Sequence, residues 1–214
     1  MYVKDYMSTS LITIDEDTTV TNALDLMNQH GIHRLPVVKR GRVVGLVSDS
    51  DIAKSTPSQM TSLSVHELNY LLNKTTAKQI MTREAVHVNP DTPIEEAASQ
   101  MRLQGVSVVL VVDTDGQLVG IMTEKDVMDA LIDVLGYNLI GTRITVDVAE
   151  DRAGILEELG RIARESDMSY EQIAVYDLAG MKQIVLHVSN MDTEDLVKKF
   201  EENGFNVSSV MKRG

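Results

Sequence analysis

The sequence contains no cysteine and no tryptophan, and aromatic residues make up only 4% of its 214 positions. The absence of cysteine excludes disulfide bridges and thiolate metal sites, and it is typical of proteins from a reducing compartment. A hydrophobic core must therefore be built from Val, Ile, Leu, Met and Ala, which the hydrophobic content of 43% can supply.

Long apolar runs and an excess of positive charge are also missing. The longest apolar stretch, VSVVLVV at residues 106–112, is far shorter than the roughly 20 residues that a membrane-spanning helix needs. The first residues, MYVKDYMSTS, lack the apolar centre of a signal peptide, so we expect a soluble, cytoplasmic protein. The formal net charge of −12 argues against broad contact with nucleic acid or with an anionic membrane surface.

An internal repeat of roughly 50 residues dominates the first part of the chain. With an offset of 74 residues, and one more after the middle of the unit, the matched pairs are Met7 and Met81, Ala23 and Ala97, Met27 and Met101, Gly31 and Gly105, Gly45 and Gly120. Each copy shows a short extended segment, an amphipathic helical stripe, two apolar runs joined by a turn, and a second helix. Since one β-α-β-β-α copy is too small to bury its sheet alone, we expect the two copies to pack against each other.

Both copies close with the same short motif, GLVSDSDI at residues 45–52 and GIMTEKDV at residues 120–127. A hydroxyl residue precedes an aspartate by three positions in each, as Ser48 and Asp51 and as Thr123 and Asp126. One interpretation is helix capping, in which both side chains satisfy amides at the helix start. The other is a nucleotide site, in which the hydroxyl contacts phosphate at a helix N-terminus and the carboxylate binds a ribose diol.

Nearby positive charge supports the second interpretation. The stretch HRLPVVKRGR at residues 33–42 contains Lys and Arg but no acid, in a chain of net charge −12. His33 and Arg34 follow Gly31, at the end of the first helical stripe, where an anion could reach them, and arginine can grip phosphate with two hydrogen bonds. The remaining cations, in KRGR, are typical of the exposed tip of a hairpin.

The two copies, each opening with Met-Ser or Met-Thr and closing with the glycine-led motif, resemble a tandem pair of CBS domains over about residues 1–135. The resemblance implies a pseudo-twofold pair whose cleft binds an adenine nucleotide of the AMP, ADP, ATP or cyclic di-AMP class. It implies that Asp51 and Asp126 bind ribose hydroxyls, and that Ser48, Thr123, His33 and Arg34 contact phosphate. The nucleotide-binding residues implied in this way are Leu11, Ile12, Gly31, Ile32, His33, Arg34, Pro36, Ser48, Asp51, Ala85, Val86, Gly105, Ser107, Thr123 and Asp126.

The two copies differ where charge matters. The first keeps Pro36 in HRLPVV, whereas the second has the apolar run GVSVVLVV and no His-Arg pair. A cation near Thr123 and Asp126 must then come from Lys125, from Arg83 or from the first copy. The difference predicts one well-formed site rather than two equal ones.

The pattern changes after GYNLIG at residues 136–141. Alternating residues indicate strands around Ile144, Ile173, Ile184 and the final FNVSSV, and two helical stripes lie between them, which gives a β-α-β-β-α-β order. With the motif EDRAGIL, this region resembles an ACT domain. The resemblance implies a small effector, such as an amino acid, bound at Asp151, Gly154, Ile155 and Leu156. A tight turn without any ligand is the alternative, in a domain that only pairs its sheet with that of a partner.

The expected fold class is α+β, with two βαββα CBS repeats as a pseudo-twofold pair and a ferredoxin-like βαββαβ ACT domain. The expected segments are a first repeat at residues 1–53, a connector with a helix at 54–78, a second repeat at 79–135, a linker at 136–141 and the ACT domain at 142–214. This combination resembles acetoin-utilisation-type (AcuB-like) CBS/ACT proteins. The resemblance implies a cytoplasmic, homodimeric ligand sensor that regulates another protein.

Two further interpretations stay open. SVHELNYLLNK at residues 64–74 indicates a helix with Ser64 as its N-cap and Glu67 three positions later, so residues 62–80 could belong to a helix–turn–helix DNA-binding regulator. The chain could also be a structural dimerisation module that ignores ligands. A catalytic constellation is not evident: the five histidines are scattered, Ser48 and Asp51 have no paired histidine, and no Walker-type loop occurs. We therefore expect no enzyme, no metal site and no catalytic cofactor.

Overall fold

A computed structural model of the chain describes residues 1–55, 65–148, 152–178 and 180–214. It divides into two compact units, Met1–Ala130 and Leu131–Gly214. In the described ranges, no helix is both long enough and apolar enough to cross a bilayer.

The first unit contains the two predicted copies. The first copy consists of α1 (Val3–Tyr6), β1 (Ile14–Asp15), α2 (Val20–His30), β2 (Arg34–Lys39), β3 (Arg42–Ser48) and α3 (Asp49–Ser55). After α4 (Val65–Lys74), the second copy consists of α5 (Ala77–Ile80), β4 (His87–Val88), α6 (Ile94–Gln104), β5 (Val108–Val112), β6 (Leu118–Thr123) and α7 (Glu124–Val134). The β-α-β-β-α order is confirmed in both copies, and each is preceded by a four-residue helix that the sequence patterns did not indicate.

The sheets of the two copies have the same pairing. In each, the first strand runs parallel to the second, and the second runs antiparallel to the third. A bulge follows Val37 in one sheet and Val111 in the other, opposite Gly45 and Gly120 respectively. The duplication therefore extends to the backbone register.

The two long helices of the repeats end as their sequences predict. Gly31 terminates α2 with φ of 63°, and Gly105 terminates α6 with φ of 65°, a left-handed conformation that glycine adopts without strain. The Thr19 side chain caps α2 by accepting a hydrogen bond from the Asn22 amide at 3.3 Å. Each terminal glycine leads the chain directly into the second strand, whose first residues border the candidate site described below.

The opening segment of each copy completes the core of the other. Val3 is fully buried among residues of the second copy, including Met122. Ala77 and Met81, which open the second copy, are buried in the core of the first. The copies pack against each other as expected, but through this exchange, so that neither copy has a complete core without the other.

The repeated glycines Gly45 and Gly120 make this exchange possible. A methyl group at Gly45 would lie 2.7 Å from the Met81 sulfur and 3.0 Å from the Thr82 carbonyl oxygen. At Gly120 it would collide with Met7 in the same way. The glycine that leads each closing motif therefore leaves room for the methionine that opens the other copy.

The second unit has the predicted β-α-β-β-α-β order. Its elements are β7 (Gly141–Val148), α8 (Ile155–Glu165), β8 (Tyr170–Leu178), β9 (Met181–Val188), α9 (Glu194–Glu202) and β10 (Asn206–Arg213). The strands form one antiparallel sheet in the order β10-β7-β9-β8, which is ferredoxin-like. Its core contains the side chains of Ile144, Val146, Leu159, Ile162, Leu186, Leu196 and Phe200.

Some apolar residues of the expected stripes lie outside this core. Leu156, on the first helical stripe, is 51% exposed. Ile173 and Val175 are 45% and 48% exposed, because β8 is an edge strand with a neighbour on one side only. The periodicity was correct for the strand and the helix, but it overstated how much of each face is buried.

Candidate functional site: two clefts in the first unit

Two of the cavities in the first unit combine residues of both copies and contain the aspartate of a closing motif. We call them the Asp51 cleft, of about 570 Å³, and the Asp126 cleft, of about 400 Å³. The sequence-predicted residues in the Asp51 cleft are His33, Arg34, Ser48, Asp51, Ala85, Val86, Gly105 and Ser107. Those in the Asp126 cleft are Leu11, Ile12, Gly31, Ile32, His33, Arg34, Pro36, Thr123 and Asp126.

Each of the fifteen predicted residues therefore lines a cleft, but the set is divided between the Asp51 cleft and the Asp126 cleft. Each cleft pairs the hydroxyl–carboxylate corner of one copy with the first-strand region of the other. His33 and Arg34 line both clefts. The cavities differ in size and lining, so the structure has two unequal clefts where the sequence favoured one well-formed site.

The two carboxylate corners share a pair of hydrogen bonds to the aspartate. In the first, the Ser48 amide and hydroxyl both donate to Oδ2 of Asp51, at 2.9 and 2.5 Å. In the second, the Thr123 amide and hydroxyl both donate to Oδ2 of Asp126, at 2.6 and 2.8 Å. The Oδ1 oxygen of each aspartate accepts no hydrogen bond from any described residue. Helix capping thus occupies one carboxylate oxygen, while the other accepts no hydrogen bond from the described ranges, so the two interpretations of the motif are compatible.

The clefts differ in one backbone carbonyl on the opposite wall. In the Asp51 cleft, the Val86 carbonyl accepts a hydrogen bond of 2.9 Å from the Leu110 amide. The equivalent residue to Leu110 in the first copy is Pro36, which has no amide hydrogen to donate. The equivalent carbonyl, that of Ile12 in the Asp126 cleft, accepts no hydrogen bond from the part of the chain that the structure describes.

The shared cations are held differently. Arg34 Nη2 donates to Ser107 Oγ across the two copies at 2.5 Å. His33 Nδ1 lies 2.6 Å from Oδ2 of Asp49, and both side chains are exposed. Arg34 therefore lies where either cleft can use it, while His33 is next to a carboxylate of the Asp51 cleft.

Of the cations considered for the second copy, Lys125 lines the Asp126 cleft and Arg83 lines neither cleft. Arg83 instead donates to the Lys78 carbonyl at 3.3 Å. At the hairpin, Lys39 donates to Glu16 at 2.6 Å, and this bond holds the pKa of the Glu16 carboxyl below its usual value. The hairpin cations Lys39, Arg40 and Arg42 line neither cleft.

Three charged residues of the Asp51 cleft were not predicted from the sequence. Asp49 and Lys54 lie on α3 with Asp51, and Glu84 precedes the predicted Ala85. For two of them the sequence could have suggested a place in the cleft, because Asp49 and Glu84 are each within two positions of a predicted residue. Their convergence on one cavity depends on the pairing of the copies, which a single copy does not reveal.

The second unit has a smaller cavity of about 240 Å³ at the start of α8. The predicted effector residues Gly154, Ile155 and Leu156 line it, together with Val175 and Lys182. Asp151 lies outside the described residues. Gly154 has φ of 91° at the N-cap position of α8, so this turn requires the conformational freedom of glycine.

The predicted connector helix is present as α4, with Glu67 in its first turn. Its proposed cap, Ser64, and residues 62 and 63 of the helix–turn–helix alternative lie outside the described residues. Within the described ranges, no group of three or more His, Asp or Glu side chains could hold a metal ion.

Comparisons with known proteins agree on the first unit. The CBS domain profile matches residues 3–57 and 77–133. A CBS domain-containing protein of Dictyostelium discoideum is 37% identical over 134 residues, which cover 62% of this chain and 92% of that protein. A homoserine O-acetyltransferase of Methanohalobium evestigatum is 32% identical over 127 residues, but the match spans only 23% of that enzyme.

Solved structures give the same result. The CBS domain pair of protein MJ0100, in complex with 5′-methylthioadenosine and S-adenosyl-L-methionine, is 30% identical with a TM-score of 0.51, covering 61% of this chain and 95% of that one. CBSX2 from Arabidopsis thaliana, in complex with AMP, is 28% identical with a TM-score of 0.53, covering 63% and 98%. An acetoin utilization protein (AcuB) from Vibrio cholerae, 24% identical with a TM-score of 0.53 over 64% and 95%, shares the fold.

CBS pairs are generally regulatory modules without catalytic activity, and the related pairs above are seen with adenosine-containing ligands. The matched residues here are those that form the two repeats and their clefts. The chain therefore belongs to the CBS-domain family, with a tandem CBS pair at residues 3–57 and 77–133.

Proposed function

We propose that this chain is a non-catalytic regulatory protein that senses an adenine nucleotide in the clefts of its CBS pair. The observation that carries the proposal is the Oδ1 oxygen of Asp51 and of Asp126, which accepts no hydrogen bond from the described residues and belongs to a capped side chain that lines a cavity. A carboxylate oxygen of this kind is a strong acceptor for the two hydroxyls of a ribose.

The opposite wall supports adenine as the base. The Ile12 carbonyl in the Asp126 cleft accepts no hydrogen bond from the described chain, because Pro36 supplies no amide hydrogen. The amino group of adenine is a donor suited to such a carbonyl, whereas guanine presents an acceptor at the corresponding position. The apolar neighbours Leu11 and Ile32 can pack against the faces of the ring.

The relatives support the ligand class. CBSX2 was solved with AMP, and the pair of MJ0100 with two adenosine derivatives. A ligand that binds residues of both copies stabilises their pairing, and it can bias any partner that distinguishes the occupied from the empty pair. The regulated protein would read that difference.

For residues 142–214 we propose an ACT-type domain that either binds a small effector or mediates dimerisation. The cavity beside Gly154, with Lys182 on its wall, supports an amino acid whose carboxylate the lysine would bind. The exposed apolar residues Ile173 and Val175 on the edge strand β8 support pairing with a second copy. An amino-acid panel in a thermal-shift assay, beside light scattering of the ligand-free protein, separates the two roles.

A thermal-shift panel of AMP, ADP, ATP, cyclic di-AMP, S-adenosylmethionine and adenosine tests the nucleotide proposal. A ligand at 100 times its dissociation constant should raise the unfolding free energy by about 2.7 kcal/mol. GMP is the matched control, since it keeps the ribose and the phosphate but presents the wrong edge to Ile12. A flat response to every adenosine compound would leave the structural dimerisation module as the better account.

A further inference from the structure

The two clefts carry opposite charge. The Asp126 cleft has one carboxylate, Asp126, and two permanent cations, Arg34 and Lys125. The Asp51 cleft has three carboxylates, from Asp49, Asp51 and Glu84, against Arg34 and Lys54. His33 lines both clefts but lies 2.6 Å from Asp49, so its contribution in the Asp51 cleft is offset by that acid.

Arg34 is the cation that the clefts share. It lines both cavities and donates to the neutral Ser107 hydroxyl at 2.5 Å, and it forms no ion pair with any residue that the structure describes. A phosphate binds arginine more strongly than a hydroxyl does. A phosphate in either cleft would therefore draw Arg34 away from Ser107 and from the other cleft.

We propose that the two clefts divide adenosine ligands by charge. The Asp126 cleft takes a phosphorylated, anionic adenine nucleotide, and the Asp51 cleft takes a neutral or cationic adenosine derivative, such as one carrying a sulfonium group. This inference rests on the proposed function, since it presumes that both clefts bind adenosine. The inference also changes the role implied for Ser48. In a cleft that binds a ligand without a phosphate, Ser48 would contact another part of that ligand.

The division follows from the charges alone. An anionic group in the Asp51 cleft would face Asp49 and Glu84, and like charges at close range oppose binding. Once a phosphate in the Asp126 cleft holds Arg34, the Asp51 cleft loses one of its two permanent cations. Occupation by an anionic nucleotide should then strengthen binding of a cationic ligand in the other cleft, and by linkage the reverse must hold.

Calorimetric titration of the full chain with AMP and with S-adenosylmethionine tests the division. Asp126→Asn and Asp51→Asn are the variants, because asparagine keeps one oxygen for the helix cap and replaces the second, charged oxygen with an uncharged amino group that cannot accept hydrogen bonds from ribose hydroxyls. Asp126→Asn should lower the affinity for AMP by about tenfold to a hundredfold. The affinity for S-adenosylmethionine should stay within about threefold of that of the parent. Asp51→Asn should do the opposite.

A second variant tests the charge directly. Asp49→Asn combined with Glu84→Gln removes two carboxylates from the Asp51 cleft, and we expect the AMP stoichiometry to double. The matched control, Glu194→Gln with Glu201→Gln, removes the same charge from the exposed surface of α9 and should leave the stoichiometry unchanged. An equal doubling in the control would show that only net charge matters, which would overturn the division.

The outcomes separate the two proposals. If AMP affinity follows Asp51, or follows both aspartates equally, the charge division is wrong while the nucleotide-sensing proposal stands. The division also fails if neither S-adenosylmethionine nor adenosine shows binding that depends on Asp51. If no adenosine compound binds at all, the nucleotide-sensing proposal fails, and the division fails with it.

Discussion

The Asp126 carboxylate accepts two hydrogen bonds from Thr123 on a single oxygen, from the amide at 2.6 Å and from the hydroxyl at 2.8 Å. Ser48 and Asp51 repeat this relationship in the other copy. The cap fixes the carboxylate through Oδ2, and Oδ1 accepts no hydrogen bond from any residue in the described part of the chain. Stability and the proposed ligand binding would therefore depend on different atoms of the same side chain.

This separation predicts different effects for two substitutions at position 126. Asp126→Ala removes the cap acceptor and should lower the unfolding free energy by about 1 kcal/mol. Asp126→Asn keeps an acceptor for Thr123, so its unfolding free energy should stay within about 0.5 kcal/mol of the parent while AMP binding falls. Urea denaturation of both variants measures the stability effect. Equal destabilisation by the two variants would mean that the carboxylate charge, and not the acceptor geometry, holds the corner.

The glycine of the closing motif should be intolerant of even a methyl group. In Gly45→Ala the new Cβ would lie 2.7 Å from the Met81 sulfur and 3.0 Å from the Thr82 carbonyl oxygen. We expect a loss of about 1–3 kcal/mol in unfolding free energy, as for other overpacked sites. Gly160→Ala is the matched control, because Gly160 lies within α8 with no atom within 4 Å of the added methyl. That substitution should stabilise by about 0.5–1 kcal/mol.

Pro36 should control the adenine side of the Asp126 cleft. Pro36→Ala supplies an amide hydrogen that can bond to the Ile12 carbonyl, as Leu110 does to Val86 in the other copy. With that carbonyl occupied, AMP affinity should fall by about threefold to tenfold, the worth of one neutral hydrogen bond. Binding in the Asp51 cleft should not change. Calorimetry checks both values, and an unchanged AMP affinity would remove the Ile12 carbonyl from the proposed site.

Tyr170 should make the second unit sensitive to alkaline pH. Its hydroxyl donates to the Leu159 carbonyl at 2.6 Å, and burial raises its pKa above the ordinary value of 10.0. Because the folded state disfavours the ionised form, the contribution of Tyr170 is fully present below pH 10.0 and is lost as pH rises above it. Tyr170→Phe should cost about 1 kcal/mol at neutral pH.

The pH profile separates this contribution from those of other groups. Above pH 10.0, the unfolding free energies of the parent and of Tyr170→Phe should converge, since the parent alone loses the contribution of a protonated Tyr170. Denaturant titrations at neutral pH and at two alkaline values measure this difference. Parallel profiles would mean that Tyr170 does not titrate differently in the folded and unfolded states.

The sequence was a good guide wherever a pattern is local. Periodicity placed the helices that begin at Val20, Ile94 and Ile155, and it placed the glycines that end the first two of them. The duplicated motif drew attention to Asp51 and Asp126, which line the two clefts. These features depend on neighbours within a few residues along the chain, which a sequence displays directly.

Features that depend on the pairing of the two copies could not be predicted from local sequence patterns. Val3 is buried in the core of the second copy, more than 80 residues away along the chain, and no local pattern marks it as a core residue. The two clefts are likewise mixed, because Asp51 faces the wall that contains Ala85. Glu84 lines the Asp51 cleft only because of this exchange, and the charge difference between the clefts depends on it.

The most direct test of the account is a crystal structure of the full chain grown with AMP. We expect AMP in the Asp126 cleft, with its ribose hydroxyls within hydrogen-bonding distance of Asp126 Oδ1, at about 2.5–3.2 Å. The adenine amino group should donate to the Ile12 carbonyl, and the phosphate should contact Arg34 or Lys125. Both clefts empty at saturating AMP, or AMP bound with its ribose away from either aspartate, would contradict it.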